Sequence, residues 1–124
     1  MNILLLQPQV CAEPMYPVAL ATMGAVLREE GYGVFGIDLQ FESVNQLYDR
    51  LQQVEARWVG ATVLPHNAEE VGSLFRDLRA IRPIHTFIAG AYPTLDAKSA
   101  LLRTGADVAI SGDPELAIRE LVAN

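Results

Sequence analysis

Few residues of this chain can do covalent or metal chemistry. Cys11 is the only cysteine, and His66 and His85 are the two histidines. One thiolate and two imidazoles fall short of a closed zinc site. An iron–sulfur cluster held by cysteines needs three or four of them, so none is expected on this chain. No nucleophile–base pair or carboxylate pair stands where strands are expected to end. Asp113 and Glu115 read as the opening of a helix, with Asp113 as cap and Pro114 behind it. What remains is placement chemistry. In HTFIAGAYPTL, residues 85–95, an apolar run from Thr86 to Ala89 stops on Gly90-Ala91. A turn accounts for Gly90 and does not require Ala91. Small residues at a strand tip leave room for something large to lie along the backbone.

The elements that position this tip follow from periodicity. Ile3–Leu6, Val34–Leu39, Trp58–Leu64, Thr86–Ala89 and Ala106–Ile110 are mostly continuous apolar runs. That is the pattern of strands covered on both faces, as in a parallel sheet. Helical patterns lie between them. Pro17 opens the first, Leu20, Met23, Val26 and Leu27 share its face, and Gly31 ends it. Val44, Leu47, Tyr48, Leu51 and Val54 mark the second. Asn67 is the expected cap of the third, with Glu70 three residues on in a variant capping box. Val71, Leu74, Phe75, Leu78 and Ile81 follow, and Pro83 stops it. Arg76, Asp77, Arg79 and Arg82 read as its solvated face. Asp96 caps a short fourth helix ending near Gly105, and Asp113-Pro114-Glu115 starts a fifth. This alternation predicts an α/β fold: a flavodoxin-like or Rossmann-like, doubly wound, five-stranded parallel sheet of order 2-1-3-4-5, as one domain over residues 1–124.

Ligands of such sheets bind outside the carboxyl ends of the strands. The loops there are QPQVCAEPMYP, LPHN, GAYPT and SGDP. The first lacks the glycines of a dinucleotide-binding turn or P-loop. It is not the Ser/Thr/Gly-rich phosphate loop of a flavodoxin, and the tips of strands one and three lack the acidic cluster of a phosphoacceptor receiver. The net charge of −6 and the absence of a basic run argue against nucleic acid and anionic membranes as partners. No apolar stretch approaches the roughly 20 residues of a bilayer span. MNILLLQPQ lacks the basic region of a signal peptide, so a cytoplasmic location is expected.

Five stretches in order carry a family resemblance: NILLLQPQ; YPVALATMGAVLREEG; VFGIDL; VGATVLPHNAEE through LRAIRP; and FIAGAYPTLDAKSALLRTGADVAISGDPELAIREL. Together they resemble the cobalamin-binding domain at the N-terminus of many cobalamin-dependent radical SAM enzymes. The resemblance implies cobalamin as cofactor, its nucleotide tail threading between the sheet and its helices. A Ser/Thr-x-Leu stretch and a Gly-Gly pair line that slot in the family; Thr62-Val63-Leu64 and Gly90-Ala91 occupy these positions here. The resemblance implies that the Thr62 hydroxyl hydrogen-bonds the free nitrogen of dimethylbenzimidazole. Threonine for serine adds a methyl group, and Ala91 for the second glycine narrows the slot. The implied binding edge comprises Gln7, Pro8, Gln9, Val10 and Cys11; Thr62, Val63, Leu64, Pro65, His66 and Asn67; Gly90, Ala91, Tyr92 and Pro93; and Ser111, Gly112 and Asp113.

Cobalamin carriers and mutases place D-x-H-x-x-G in the first loop, with the histidine on cobalt. QPQVCAEPMYP has no histidine. The resemblance therefore implies cobalamin bound base-off without a histidine ligand from this loop. Cys11 and His66 are the two nearby side chains able to ligate cobalt, though one also reads as a small unreactive residue and the other as a loop side chain bonding backbone. Tyr16 and Tyr92 read as loop aromatics at the binding edge, and His85 as exposed at the opposite end of its strand. The chain has no CxxxCxxC pattern, so it is not expected to do radical chemistry alone. The implied partner is a radical SAM domain or protein, for methyl transfer, rearrangement or cyclisation. Two other readings stand beside this one: a cobalamin-free scaffold or interaction domain of the same fold, and a free-standing enzyme.

Overall fold

A computed structural model describes residues 1–8, 18–112 and 114–123. The elements are β1 Asn2–Gln7, α1 Val18–Glu29, β2 Gly33–Asp38, α2 Val44–Val54, β3 Trp58–Thr62, a 3-10 turn Pro65–Asn67, α3 Ala68–Ile81, β4 His85–Ala89, α4 Ala91–Leu95, α5 Ala97–Thr104, β5 Val108–Ala109 and α6 Pro114–Ala123. Every strand pair is parallel, and the order is β2-β1-β3-β4-β5, as the alternation predicts.

The continuous apolar runs make sense once the two faces are separated. Successive strand side chains point to opposite faces. In β1, Leu4 and Leu6 join a core with Leu47 and Leu51 of α2 and with Val71, Phe75 and Leu78 of α3. Ile3 and Leu5 join a second core with Met23 and Leu27 of α1 and Ile118 of α6. The strand therefore needs apolar residues at both parities. The same split holds in β4, where Ile88 faces the first core and Phe87 the second.

Helix ends show where local chemistry won. Gly31 adopts φ 91°, and its N–H reaches the Arg28 carbonyl at 3.0 Å, so glycine closes α1 as expected. Pro17 lies outside the described residues. The start of α2 carries a full capping box that its S-x-x-Q spacing encodes: the Ser43 hydroxyl accepts from Gln46 N–H, and the Gln46 side chain accepts from Ser43 N–H. Asp96 caps α5 by accepting from Ser99 N–H at 3.1 Å.

Several expectations are corrected. The Asn67 side chain does not cap α3; its Oδ1 turns back to accept from Leu64 N–H at 2.9 Å, within the 3-10 turn that precedes the helix. β3 ends at Thr62 and β5 shrinks to Val108–Ala109. GAYPT is not a loop, because Ala91–Leu95 winds into the one-turn helix α4. Arg79 is more than a solvated side chain. It donates to Thr86 Oγ1 at 2.7 Å and to the Gly105 carbonyl at 2.9 Å, and it pairs with Asp107 at 3.5 Å. It thereby ties the end of α3 to the starts of β4 and β5. Burial pushes the Asp107 carboxyl up, but the Thr86 N–H and hydroxyl and the Arg79 charge outweigh it and hold Asp107 below the usual carboxylate range.

Candidate functional site

The parallel sheet brings the ends of β1, β3, β4 and β5 to one edge. Gln7, the last residue of β1, is buried, with 6% of its surface exposed. A buried amide needs a partner. Thr62, the last residue of β3, supplies one: its hydroxyl donates to Gln7 Oε1 at 2.9 Å. One residue on, Val63 N–H donates to the Ala89 carbonyl at 3.0 Å, so the bridge to β4 continues one residue past the end of β3.

Gly90 follows β4 with φ 107° and ψ −163°, a conformation that side chains rarely tolerate. A Cβ at Gly90 would stand 3.7 Å from Thr62 Cβ and from Val63 N and O. The glycine thus faces the Thr62-Val63 peptide across a cradle that one methyl group would fill. Beside Gln7, a cavity of about 290 Å³ lies between α1 and the ends of β1 and β2, with Gly24, Arg28, Asp38 and Glu42 among its lining.

The segments beyond these tips hold one another. The Thr94 hydroxyl donates to the Gly90 carbonyl at 2.8 Å and accepts from Gly112 N–H at 3.0 Å. Ser111 Oγ donates to the Pro93 carbonyl at 3.0 Å. Arg103, on α5, clamps the other side. It donates to both Glu69 carboxylate oxygens, at 2.8 and 2.6 Å, to the Pro65 carbonyl, and to the Tyr92 hydroxyl at 3.1 Å. Its guanidinium also sits 5.3 Å from the Tyr92 ring centre. The Arg103 hydrogen bond holds the Glu69 carboxyl below its ordinary range, and Glu69 raises Arg103 in turn.

Gln7, Pro8, Thr62, Val63, Leu64, Pro65, His66, Asn67, Gly90, Ala91, Tyr92, Pro93, Ser111 and Gly112 all belong to this carboxyl edge. Gln9, Val10, Cys11, Tyr16 and Asp113 lie outside the described residues. Not all the others face outward. Tyr92 is not the exposed loop aromatic expected; only 7% of its surface is open, its ring packs in the first core, and its hydroxyl meets Ser99 Oγ. Val63, Asn67 and Pro93 are buried too. Pro65, His66, Ala91, Ser111 and Gly112 are exposed, and Thr62, Leu64 and Gly90 are half-buried. Thr94 and Arg103 join this edge without being among the residues that the sequence marks for it. A threonine four residues after Gly90 was a signal for Thr94; nothing local marked Arg103, whose partners lie as far as 38 residues away. Among the described residues, no three of His, Cys, Asp and Glu gather as metal ligands. This edge offers hydroxyls, carbonyls and a side-chain-free backbone. That is equipment for holding a ligand.

Parallel sheet, long first connection and small-residue cradle together define a ligand-holding domain of the flavodoxin-like kind. The family model described as "B12 binding domain" matches residues 10–122, and the chain belongs to that family. Solved structures share the fold. The radical S-adenosylmethionine methyltransferase TsrM from Kitasatospora setae, with cobalamin and a [4Fe-4S] cluster bound, superposes with a TM-score of 0.88 at 19% identity, over 98% of this chain and 24% of that one. The cobalamin-dependent S-adenosylmethionine radical enzyme OxsB, with aqua-cobalamin bound, gives 0.80 at 16% identity, over 98% of this chain and 18% of that one. A cobalamin-binding protein from Desulfitobacterium hafniense DCB-2 gives 0.75 at 16% identity, over 98% and 57%. The chain therefore spans about a quarter or less of the two radical enzymes. No curated protein matches it.

Proposed function

We propose that this domain binds cobalamin base-off, without a histidine from its first loop, and presents the corrin to a radical SAM domain or partner protein. The observation that carries the reading is Gly90, a side-chain-free position at φ 107° on the carboxyl edge that faces Thr62 Cβ and the Val63 backbone. A strand end without a side chain lets a flat heterocycle such as dimethylbenzimidazole approach the main chain closely. The residues fit the group in type as well. Thr62 brings a hydroxyl for the free ring nitrogen; Gly90, Ala91 and Gly112 allow close backbone approach; and Ser111 adds a hydroxyl and a nearby carbonyl for the amides on the corrin rim.

When bound, cobalamin supplies a cobalt–carbon bond whose alkyl group can be transferred. The chain's own work is positional. Thr94 fixes the Gly90 carbonyl, and Arg103 locks the segments after β3 and β4 to α5. A preorganised slot loses less entropy on binding than one that must order itself.

The test is reconstitution. The purified chain is mixed with hydroxocobalamin, and separately with methylcobalamin, then desalted, and its visible spectrum is recorded. Co-eluting cobalamin with a base-off spectrum supports the reading. A folded protein that retains none sinks autonomous binding.

A second reading, a cobalamin-free interaction domain, has one observation in its favour. The Thr62 hydroxyl proton is already given to Gln7, so a ligand nitrogen must displace that bond. Complete loss of cobalamin in the desalting step from a chain shown to be folded would favour it.

A further inference from the structure

We propose a second ligand site at the opposite pole of the sheet, an anion pocket for a small organic phosphate. It is built where β3 and β4 begin, roughly 17 Å from the carboxyl edge along a five-residue strand, and it stands independently of the cobalamin reading. Arg57, Trp58, Arg82, Pro83, Ile84 and His85 line a cavity of about 510 Å³ there. That is the size range of small-molecule sites.

The charge of this cavity is the unusual feature. The protein carries a net charge of −6. Yet two guanidiniums and one imidazole share this concavity, and no carboxylate is among its lining residues. The other arginines that pair with acids do so visibly: Arg79 with Asp107, Arg103 with Glu69, and Arg119 with Glu29 and Glu30. Neither Arg57 nor Arg82 makes such a pair with a described residue. Among the described residues, the buried Arg82 Nε has no hydrogen-bond partner. Guanidiniums that line a cavity without a carboxylate beside them favour an oxyanion there.

The backbone under these side chains is firmly held. Arg57 N–H donates to the Asn2 carbonyl at 3.0 Å, and the Arg57 carbonyl accepts from His85 N–H at 2.9 Å. Arg82 ends α3 with its N–H on the Leu78 carbonyl at 3.2 Å. Two guanidiniums match the two charges of a phosphomonoester, and the planar fork of arginine matches its oxygens. The cavity is larger than inorganic phosphate needs. Its apolar wall, Trp58, Pro83 and Ile84, suits an organic body attached to the phosphate.

Trp58 makes the test direct. It is the only tryptophan, and its ring lies 5.1 Å from the His85 ring. The 124-residue chain is titrated with phenyl phosphate at constant ionic strength while Trp58 emission is followed. Inorganic phosphate, sodium chloride and an acidic peptide serve as separate arms. The expected result is a saturating change with phenyl phosphate, weaker binding of inorganic phosphate, and no saturation with chloride. The double substitution Arg57→Gln and Arg82→Gln should weaken phenyl phosphate about tenfold or more, with circular dichroism showing the fold retained. If that variant unfolds, each single substitution is titrated instead, and the same weakening is required of at least one. Chloride matching phenyl phosphate, no response at all, or an undiminished response in the folded variants overturns the proposal. Saturation by the acidic peptide alone overturns it in favour of a protein-docking surface.

Discussion

Thr62 and Gln7, 55 residues apart in sequence, meet at the ends of two neighbouring strands, where the threonine hydroxyl donates to the buried amide oxygen at 2.9 Å. This bond makes the site rigid, and it also makes the hydroxyl unavailable as a donor until Gln7 lets go. Two substitutions separate these effects. Thr62→Val strands the Gln7 oxygen in the core and should destabilise the fold by about 1–3 kcal/mol, read from urea midpoints, while lowering cobalamin retention. Gln7→Leu removes the competitor. If Thr62 serves the ligand, cobalamin affinity should rise by roughly three- to tenfold, the worth of one net hydrogen bond. Unchanged affinity in both variants would remove Thr62 from the binding set.

Gly90 and Ala91 should respond oppositely. Gly90→Ala places a side chain at φ 107° and fills the cradle against Val63. It should cost on the order of 1–3 kcal/mol and abolish cobalamin retention in whatever fraction remains folded. Ala91 is exposed at the first turn of α4. Ala91→Gly should cost no more than about 1 kcal/mol and leave cobalamin retention equal or better. A large loss of retention with Ala91→Gly would show that the methyl group is wanted there.

Gly60 carries a packing prediction free of any ligand. A Cβ at this position in β3 would overlap the ring of Phe87, which is fully buried in β4. Gly60→Ala should lower stability by about 1–3 kcal/mol through overpacking, with a downward shift of Tm. A neutral result would mean that the Phe87 ring has room to turn.

Acid should loosen both polar clamps. Glu69 and Asp107 are held below their ordinary values, by Arg103 in one case and by Thr86 and Arg79 in the other. A depressed folded-state value means the unfolded chain takes up protons first. The stabilisation is therefore present above the ordinary carboxylate range and is lost as pH falls through the lower, folded-state values. Urea midpoints measured from pH 7 to pH 3 should fall toward the acid end. Asp107→Asn should flatten that fall while costing up to about 1 kcal/mol at pH 7, since the pair is partly exposed. A slope identical to the unsubstituted chain would assign the acid sensitivity elsewhere.

The chain's sequence carried the architecture because that architecture is periodic. Apolar residues at both strand parities, as in Ile3–Leu6, can be satisfied only by helices on both faces, and Leu20, Met23 and Leu27 supply one of them. Parallel strands then force their carboxyl ends to one edge, so the sequence alone places Gln7, Thr62, Gly90 and Ser111 along it. Side-chain direction was not legible. GAYPT reads as a loop because Gly90 and Pro93 interrupt every short-range pattern, yet docking against the first core winds it into α4 and turns Tyr92 inward. Asn67 stands at the expected cap position of α3, but its side chain accepts from Leu64 N–H in the 3-10 turn and not from the helix. Arg79 and Arg103 lie on helix faces that look solvated by spacing alone. Only the packed sheet brings Thr86, Gly105, Glu69 and Pro65 within their reach. Local periodicity decides which elements form and which strand ends meet. Hydrogen bonds between residues far apart in sequence decide which of the assembled side chains are free to bind, because they exist only after the elements have packed.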